Sequence, residues 1–250
     1  FSEMAGRMKV FSLAESCHTD AFEFNDGKIM FGKMEPIRDV TWDSMMEVVG
    51  LERLVRILDS TDLLALVNWT MVTYMSDIFD HLIEEVCPKL SGGRDRYIFF
   101  DLADPQKREN AAVERMLSQL KGFAKYYRVI FGLNAREAEQ IAEIMKIGGR
   151  VGGAEDIPAA ACEEIYNELG IYCVVVHPIE YAVTTIGGKT YCQEGPTTPR
   201  PKITTGAGDH FNAGFCLGQA LGLDPQTSLL MGVCSSGYYV MNAQSPTLPQ

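Results

Sequence analysis

The chain has 250 residues, of which 46% are hydrophobic and 22% charged, and its formal net charge at pH 7 is −11. This length suffices for one α/β domain with a large core, and the acidic balance argues against nonspecific binding to nucleic acid or to anionic membranes as the main task. No apolar run reaches the roughly 18 residues of a membrane-spanning helix, and the first residues do not resemble a signal segment.

The seven cysteines and four histidines show no spacing typical of a metal site. No Cys-x-x-Cys pair occurs, and most cysteines stand beside apolar residues, as Cys173 does between Tyr172 and Val174. We interpret them as reduced core cysteines of a cytoplasmic protein and not as a disulfide framework or a zinc site.

The first part of the chain predicts short strands. Residues 9–14 form one candidate strand, and residues 21–24 and 28–31 form two more, joined by Asn-Asp-Gly at residues 25–27. Asp-Gly between alternating apolar residues is a strong hairpin signal. Taken by itself, this pattern predicts a plain edge hairpin.

From residue 41 onward, predicted helices alternate with short, almost entirely apolar strands. The predicted helices are 41–58, 72–86, 109–120, 134–146, 157–169 and 227–241. The predicted strands are 62–68, 97–102, 127–131 and 172–177, followed by a hairpin over 181–193. Such alternation predicts an α/β fold whose mainly parallel sheet lies between helix layers.

The glycine-rich run at 148–153 lacks the Gly-Lys-Ser/Thr ending of a phosphate loop, so we interpret it as a flexible connector.

Polar residues follow two of the predicted strands. Asp101 ends the strand at 97–102, at the edge of an open parallel sheet where ligands gather. Asn134 opens the helix after the next strand, with Glu137 three residues later. That spacing is typical of a capping box, which by itself explains both residues.

The run ITTGAGDHFNAGF at residues 203–215 leads from two β-friendly threonines through two glycines into a helical pattern. Gly206 and Gly208 let the backbone bend sharply and let a ligand approach the amides, because no Cβ stands in the way. The first amides of a helix lack intrahelical acceptors and lie at the positive end of its dipole, so this turn suits an anion. Asp209 adds a carboxylate at its edge. Alternatively, Asp209 only caps the helix and the glycines only form a turn.

The motif TTGAGD followed by FNAGF resembles the C-terminal signature of the ribokinase-like (PfkB) family of sugar and nucleoside kinases. The resemblance implies that Asp209 is the catalytic base and that the amides of Gly206, Ala207 and Gly208 form an anion hole. Thr205 would contact the nucleotide. The implied cofactors are ATP and Mg²⁺.

Asn134 and Glu137 resemble the family's Asn-x-x-Glu motif, which follows a strand and organises Mg²⁺, water and phosphate. The resemblance therefore implies that these two residues act on the metal through water and on the nucleotide, and this role is compatible with the capping box. In that family small strands form a lid over the sugar, and the resemblance implies that the hairpin over 21–31 is such a lid. His18 and Asp20 lead into it. They are candidate substrate contacts, although polar residues near turns are usually plain surface residues.

Several positions depart from the family pattern. Ile203 replaces an Asp that helps to hold a monovalent cation in many members, and the segment beginning at His177 replaces a glycine-containing one on the ribose side. After Asp101 the chain lacks the usual Asp-x-Asn-x-Arg pattern. His210 follows Asp209 unusually, and its ring is expected either to reach a substrate or to face solvent.

The implied fold is a ribokinase-like three-layer α/β/α sandwich with a mainly parallel central sheet and a small β lid. We expect one domain over residues 1–250, with the lid at about 9–40 and the nucleotide-binding and catalytic part at about 41–250. The resemblance covers roughly 9–245. The family's N-terminal strand–helix units, including a Gly-Gly sugar-binding segment, and its last helix have no counterpart in the sequence.

The sequence therefore predicts a carbohydrate kinase, an ATP-dependent phosphotransferase that phosphorylates a hydroxyl of a sugar or sugar-like small molecule. One alternative is a nucleoside or vitamin-precursor kinase of the same fold. Another is a non-catalytic relative that senses nucleotides or sugars. The resemblance is also compatible with a homodimer that pairs through the lid.

Overall fold

The computed structural model describes residues 6–24, 27–92, 95–147 and 157–247. The chain divides into two compact units, Phe1–Ser60 with Asn68–Gly92 and Thr61–Val67 with Gly93–Gln250. The single domain expected over residues 1–250 stays a prediction.

The first unit contains the predicted hairpin. Strands β1 (His18–Phe24) and β2 (Gly27–Lys33) pair antiparallel and are longer than predicted. The first two residues of the predicted turn lie outside the described residues. The strand predicted over 9–14 is wrong, because this segment joins no ladder in the described part of the chain. Instead, the Arg53 guanidinium lies over the Phe11 ring at 4.5 Å from its centroid.

The first unit also contains three helices, α1 (Trp42–Val48), α2 (Leu51–Asp59) and α3 (Met75–His81), among its described residues. The single helix predicted over 41–58 is wrong because the chain breaks at Gly50, which has a φ of 76° and so a left-handed conformation. The helix predicted over 72–86 begins later, at α3, and ends in a π turn at Leu82–Val86. The Trp42 ring stacks on His81 with a centroid distance of 4.7 Å.

The second unit is built on a sheet that has six strands in the described part of the chain. Their spatial order is their chain order. The strands are β3 (Leu63–Leu66), β4 (Tyr97–Asp101), β5 (Arg128–Leu133), β6 (Cys173–Val176), β7 (Tyr181–Ile186) and β8 (Lys189–Glu194). The first four strands are parallel, whereas β7 and β8 form the predicted antiparallel hairpin. The mainly parallel sheet is therefore confirmed.

Helices cover both faces of this sheet. They are α4 (Asn110–Phe123), α5 (Ala135–Met145), α6 (Ile157–Leu169), α7 (Ala207–Ala220) and α8 (Pro225–Asn242). Helices α7 and α8 bury Phe211, Phe215 and Leu229 on one face. On the other face, Phe123 of α4 packs on Phe100 with a centroid distance of 5.3 Å, and α5 and α6 lie beside β5 and β6. The connector predicted at 148–153 lies outside the described residues.

Because the first four strands are parallel, their carboxyl ends lie along one edge of the sheet. Asp101 ends β4, Asn134 follows β5, and His177 follows β6. The fold thus gathers three polar side chains from distant parts of the sequence. None of the helices in the described ranges is long and apolar enough to cross a membrane.

Small residues let α7 and α8 approach closely. A Cβ on Gly214 would lie 2.6 Å from the Met231 carbonyl oxygen and 2.6 Å from Ser235 Oγ, and one on Gly232 would lie 2.7 Å from the Phe211 ring. The small residues of α8 therefore serve helix packing over much of its length.

We predict that Gly214→Ala destabilises the protein by about 1–3 kcal/mol, because the added methyl group forces two helix backbones apart. The sign of the change in the free energy of unfolding tests this reason, because Gly→Ala inside a helix otherwise stabilises a protein by up to about 1 kcal/mol. Urea unfolding followed by circular dichroism measures the change. Gly6→Ala is the control, because a Cβ at Gly6 meets nothing within 4 Å. An unchanged or increased free energy of unfolding in Gly214→Ala would contradict the packing argument.

Candidate active site

The start of α7 leaves two backbone amides without acceptors. Gly206 caps the helix with a φ of 91°, a conformation that favours glycine. Among the first four amides, Ala207 donates to the Thr204 carbonyl oxygen at 3.1 Å and His210 donates to that of Gly206 at 3.1 Å. The amides of Gly208 and Asp209 donate to no acceptor in the described residues. These two amides therefore point partial positive charge out of the helix end.

Asp209 lies in the first turn of α7 and is exposed. The carboxylate of Asp101 lies close enough for its pKa to respond to Asp209. Burial raises the pKa of Asp101, and the negative charge of Asp209 adds to that rise, while hydrogen bonds from Ala103 and Asn212 oppose it. The edge of the sheet therefore brings a half-buried and an exposed carboxylate together.

Asn212 connects this carboxylate pair to the sheet, a role that the sequence did not predict. Its Nδ2 donates to Asp101 Oδ2 at 2.8 Å, and the side chain is almost completely buried. Asn212 comes three residues after Asp209, so the two side chains lie on the same side of α7. In the sequence, this three-residue spacing from Asp209 could have indicated that Asn212 lies at the same site.

The capping box of Asn134 and Glu137 is confirmed. Asn134 Oδ1 accepts a hydrogen bond from the Glu137 amide at 2.9 Å, and Glu137 Oε2 accepts one from the Asn134 amide at 2.9 Å. Glu137 Oε1 also accepts one from the Asp104 amide at 2.9 Å. Burial raises the pKa of Glu137, and the two amides oppose that rise. Glu137 is buried whereas Asn134 is exposed, so the two residues differ in what they can contact.

The loop after β4 is held by two carboxylates, those of the half-buried Asp101 and the buried Glu137. Ala103 and Asp104 both have left-handed backbones, with φ values of 57° and 71°, which are unfavourable for residues with a Cβ. The Ala103 amide donates to Asp101 Oδ1 at 2.9 Å, and the Asp104 amide donates to Glu137. Asp101 and Glu137 thus fix the backbone in the place where the family's Asp-x-Asn-x-Arg pattern is missing.

A cavity of about 600 Å³ opens on one side of the α7 start. Its walls come from the segment after β6, from the connection between β8 and α7, and from α8. Residues that line it include Asn134, His177, Thr204, Gly208, Phe211 and Gly237. Thr204 lines this cavity, whereas the predicted nucleotide contact Thr205 is exposed and does not. The carbonyl oxygen of Thr205 accepts a hydrogen bond from Tyr239 Oη at 3.0 Å.

His177 forms part of this cavity wall and was not predicted as a site residue. Its ring packs on Phe211 with a centroid distance of 4.8 Å. A Cβ on Gly208 would lie 3.3 Å from His177 Cε1, which explains the second glycine of the motif. Burial lowers the pKa of His177 to about 4, so the imidazole is neutral at pH 7.

A second cavity, of about 510 Å³, lies on the other side of the α7 start. Asp209 and Asn212 line it together with apolar residues of β3, β4 and α7. The first turn of α7 therefore separates two cavities. Gly208 faces one of them and Asp209 faces the other.

His210 is half-buried and lines neither of these two cavities. Its ring stacks on Tyr239 with a centroid distance of 3.7 Å, and its Nδ1 lies 2.8 Å from the Gly206 carbonyl oxygen.

The candidate substrate residues His18 and Asp20 belong to β1 in the first unit, where Asp20 forms an ion pair with Lys33 at 3.0 Å. Their contact with substrate stays a prediction.

We predict that His177 makes stability depend on pH between about 6.5 and 4. Its pKa is about 4 in the folded protein against the ordinary 6.5, so only the unfolded chain takes up this proton as the pH falls through that window. The contribution of the neutral His177 imidazole to the free energy of unfolding is thus fully present above pH 6.5 and is lost as the pH falls from 6.5 towards 4. Between pH 7 and pH 5 the wild type should lose about 2 kcal/mol more free energy of unfolding than His177→Phe, by urea titration. Equal losses in both proteins would contradict the burial of a neutral imidazole.

Known proteins share this architecture. The prokaryotic ketohexokinase family model matches residues 1–250. A ketohexokinase of Haloferax volcanii is 29% identical to the chain over 247 residues, which are 99% of this chain. The chain spans 64% of the length of that relative.

Solved structures support the same assignment of fold. Ribokinase from Thermotoga maritima superposes with a TM-score of 0.61 at 16% identity, covering 93% of this chain and 65% of its own. Adenosine kinase from Trypanosoma brucei brucei superposes with a TM-score of 0.65 at 19% identity, covering 92% of this chain and 66% of its own. The chain has the ribokinase-like fold, and it belongs to the prokaryotic ketohexokinase family.

Proposed function

We propose that the protein is an ATP-dependent kinase that phosphorylates a hydroxyl of a sugar or sugar-like small molecule. The observation that carries the proposal is the first turn of α7, where two amides without acceptors and the Asp209 carboxylate lie between two cavities. A nucleotide in one cavity and an acceptor in the other would meet at this turn. Because the Haloferax volcanii relative is a ketohexokinase, a ketohexose is the first acceptor to test.

Asp209 would act as the base. An acceptor hydroxyl beside Asp209 attacks the γ-phosphorus of ATP, the bond to the β–γ bridging oxygen breaks, and the hydroxyl proton passes to the carboxylate. Phosphoryl transfer depends mainly on positioning and on electrostatic stabilisation, so one carboxylate and a few donors suffice. The exposure of Asp209 leaves its carboxylate accessible to an acceptor.

The anion hole would be centred on the amides of Gly208 and Asp209. Both amides can donate to the phosphoryl oxygens, where negative charge develops. The Ala207 amide already donates to Thr204, so we assign it a structural part in the turn. Gly206 provides the left-handed cap that aims the helix end at the phosphate.

The larger cavity suits a nucleotide. Its volume of about 600 Å³ falls within the usual range of small-molecule sites. Thr204 would lie near the phosphates, and the small residues of α8, including Gly237, leave space for the base. His177 would contact the nucleotide as a neutral ring, because burial keeps its pKa low.

Mg²⁺ would supply positive charge that offsets the charge of the phosphates. Within the described residues, no group of three or more His, Cys, Asp or Glu side chains is arranged to hold a metal ion. The exposed Asn134 side chain, which lines the cavity, fits a contact through water. Both Glu137 oxygens already accept backbone amides, so Glu137 would act mainly by fixing Asn134 and the Asp104 loop.

Two alternatives remain open. A nucleoside or vitamin-precursor kinase would use the same helix start, and adenosine kinases superpose on the chain as well as ribokinases do. A non-catalytic sensor of nucleotides or sugars is favoured by Ile203 and by the altered segment at His177. The accessible Asp209 beside two free amides favours the enzyme.

We also propose that two copies pair through the hairpin of β1 and β2. Phe22, Phe24, Ile29 and Phe31 share one face of this hairpin, and each is more than half-exposed. Pairing would remove this apolar face from water.

We place the protein in the cytoplasm, because the cysteines in the described residues are free, among them the buried Cys162 and Cys173.

The dimer predicts a concentration-dependent mass in light scattering of the wild-type protein. Phe31→Glu places a charge on the shared face and should shift the protein to the monomer at the same concentration. Met30→Glu is the matched control, because Met30 is also exposed but lies on the opposite face of the strand. A monomeric wild type, or dissociation in the control alone, would contradict pairing through this face.

We predict that Asp209→Asn lowers kcat by about 10²–10⁴-fold while the fold stays intact, because the amide cannot accept the hydroxyl proton. The assay is ADP release from ATP and Mg²⁺ with ketohexoses, aldohexoses, ribose and adenosine. The protein should be expressed from its complete gene.

Asp224→Asn is the matched control, since Asp224 also lies at a helix start but caps α8 through the Thr227 amide at 3.1 Å. It should keep kcat within about twofold, because Asn caps a helix as well as Asp does. Near-wild-type turnover in Asp209→Asn would refute the role of Asp209. ATP binding without ADP release for any acceptor would favour the sensor.

A further inference from the structure

Two aromatic side chains hold the turn that precedes the free amides of α7. Tyr239 Oη donates to the Thr205 carbonyl oxygen at 3.0 Å, and His210 Nδ1 lies 2.8 Å from the Gly206 carbonyl oxygen. Since a carbonyl oxygen only accepts, His210 carries its proton on Nδ1. Its Nε2 lies 2.9 Å from the Ser245 hydroxyl oxygen.

These contacts fix two consecutive peptide planes. A peptide is planar with its C=O and N–H on opposite sides, so a bond to the oxygen also sets the direction of the amide. Tyr239 thereby orients the peptide between Thr205 and Gly206. His210 orients the next one, whose Ala207 amide is held by Thr204 at 3.1 Å.

The two rings also fix each other. They stack at a centroid distance of 3.7 Å with an interplanar angle of 14°. Tyr239 stands on α8 and His210 on α7, so the stack joins the turn to the second helix. A Cβ on Gly206 would lie 3.2 Å from Tyr239 Oη, which shows how closely the hydroxyl approaches the turn.

We propose that His210 and Tyr239 are positioning residues that hold the turn over Thr205, Gly206 and Ala207, and through this turn the helix start that carries the Gly208 and Asp209 amides, in the geometry required by the phosphoryl group in transfer. This inference rests on the proposed kinase function. Neither ring needs to touch the nucleotide or the acceptor. Because a misplacement of about 1 Å can cost about a hundredfold in rate, a turn with the wrong tilt lowers kcat without weakening acceptor binding.

Three variants separate the contacts. Tyr239→Phe keeps the stack and loses the bond to Thr205. His210→Phe keeps a ring beside Tyr239 and loses the bond to Gly206. His210→Asn loses the stack, but its side-chain amide can replace the Nδ1 donor. Tyr172→Phe is the matched control, because it removes a tyrosine hydroxyl that donates to Gln219 Oε1 near the other end of α7, at 3.2 Å.

The first readout is steady-state kinetics of the full-length protein. We expect kcat to fall about tenfold in Tyr239→Phe and in His210→Phe, with the acceptor KM within about twofold. His210→Asn should recover most of the loss seen in His210→Phe. The control should keep both constants.

The second readout needs no turnover. Calorimetric titration with inorganic pyrophosphate should give an affinity about tenfold lower in Tyr239→Phe and His210→Phe than in the wild type, and an unchanged affinity in Tyr172→Phe. If the wild type binds pyrophosphate in this way but phosphorylates no acceptor, the proposed function fails and the positioning role stands. Wild-type affinity in both phenylalanine variants, equal losses in the control, or no binding by the wild type would overturn the inference.

Discussion

The hydrogen bond from Asn212 to Asp101 is the interaction on which the site depends. It links the carboxyl end of a central parallel strand to the first turns of α7 over a sequence separation of 111 residues. Asp101 is half-buried, and its pKa is raised by burial and by Asp209, so its carboxylate needs the donors that it receives. The helix that carries Asp209 is thereby tied to the edge where the other polar strand ends lie.

The rest of the site follows from how backbone groups are satisfied. The Asp101 and Glu137 carboxylates hold the left-handed loop at Ala103 and Asp104, and aromatic side chains hold the carbonyl groups of the turn before α7. The Gly208 and Asp209 amides are left over for a ligand. These two donors are therefore available to an anion.

Much of this arrangement could be predicted from the sequence, because its signals are local. The hairpin at β7 and β8, the helix α6, the capping box at Asn134 and the helix start at Gly206 each depend on residues within a few positions of one another. The failures have non-local or conformational causes. Residues 9–14 have strand-like composition but pair with no strand in the described part of the chain, and Gly50 breaks a continuous apolar pattern by its left-handed backbone. The roles of three residues depend on contacts between segments that are far apart in the sequence, which the periodicity of hydrophobic residues does not indicate. These residues are Asn212, His177 and Tyr239.

The central proposal for this protein is that the α7 start transfers a phosphoryl group from ATP to an acceptor hydroxyl. Mass spectrometry of the acceptor after incubation with ATP and Mg²⁺ tests this proposal most directly. We expect one phosphorylated acceptor for each ADP formed, with a ketohexose among the acceptors. An unmodified acceptor throughout, with ADP accompanied only by inorganic phosphate or with no ADP at all, would contradict it.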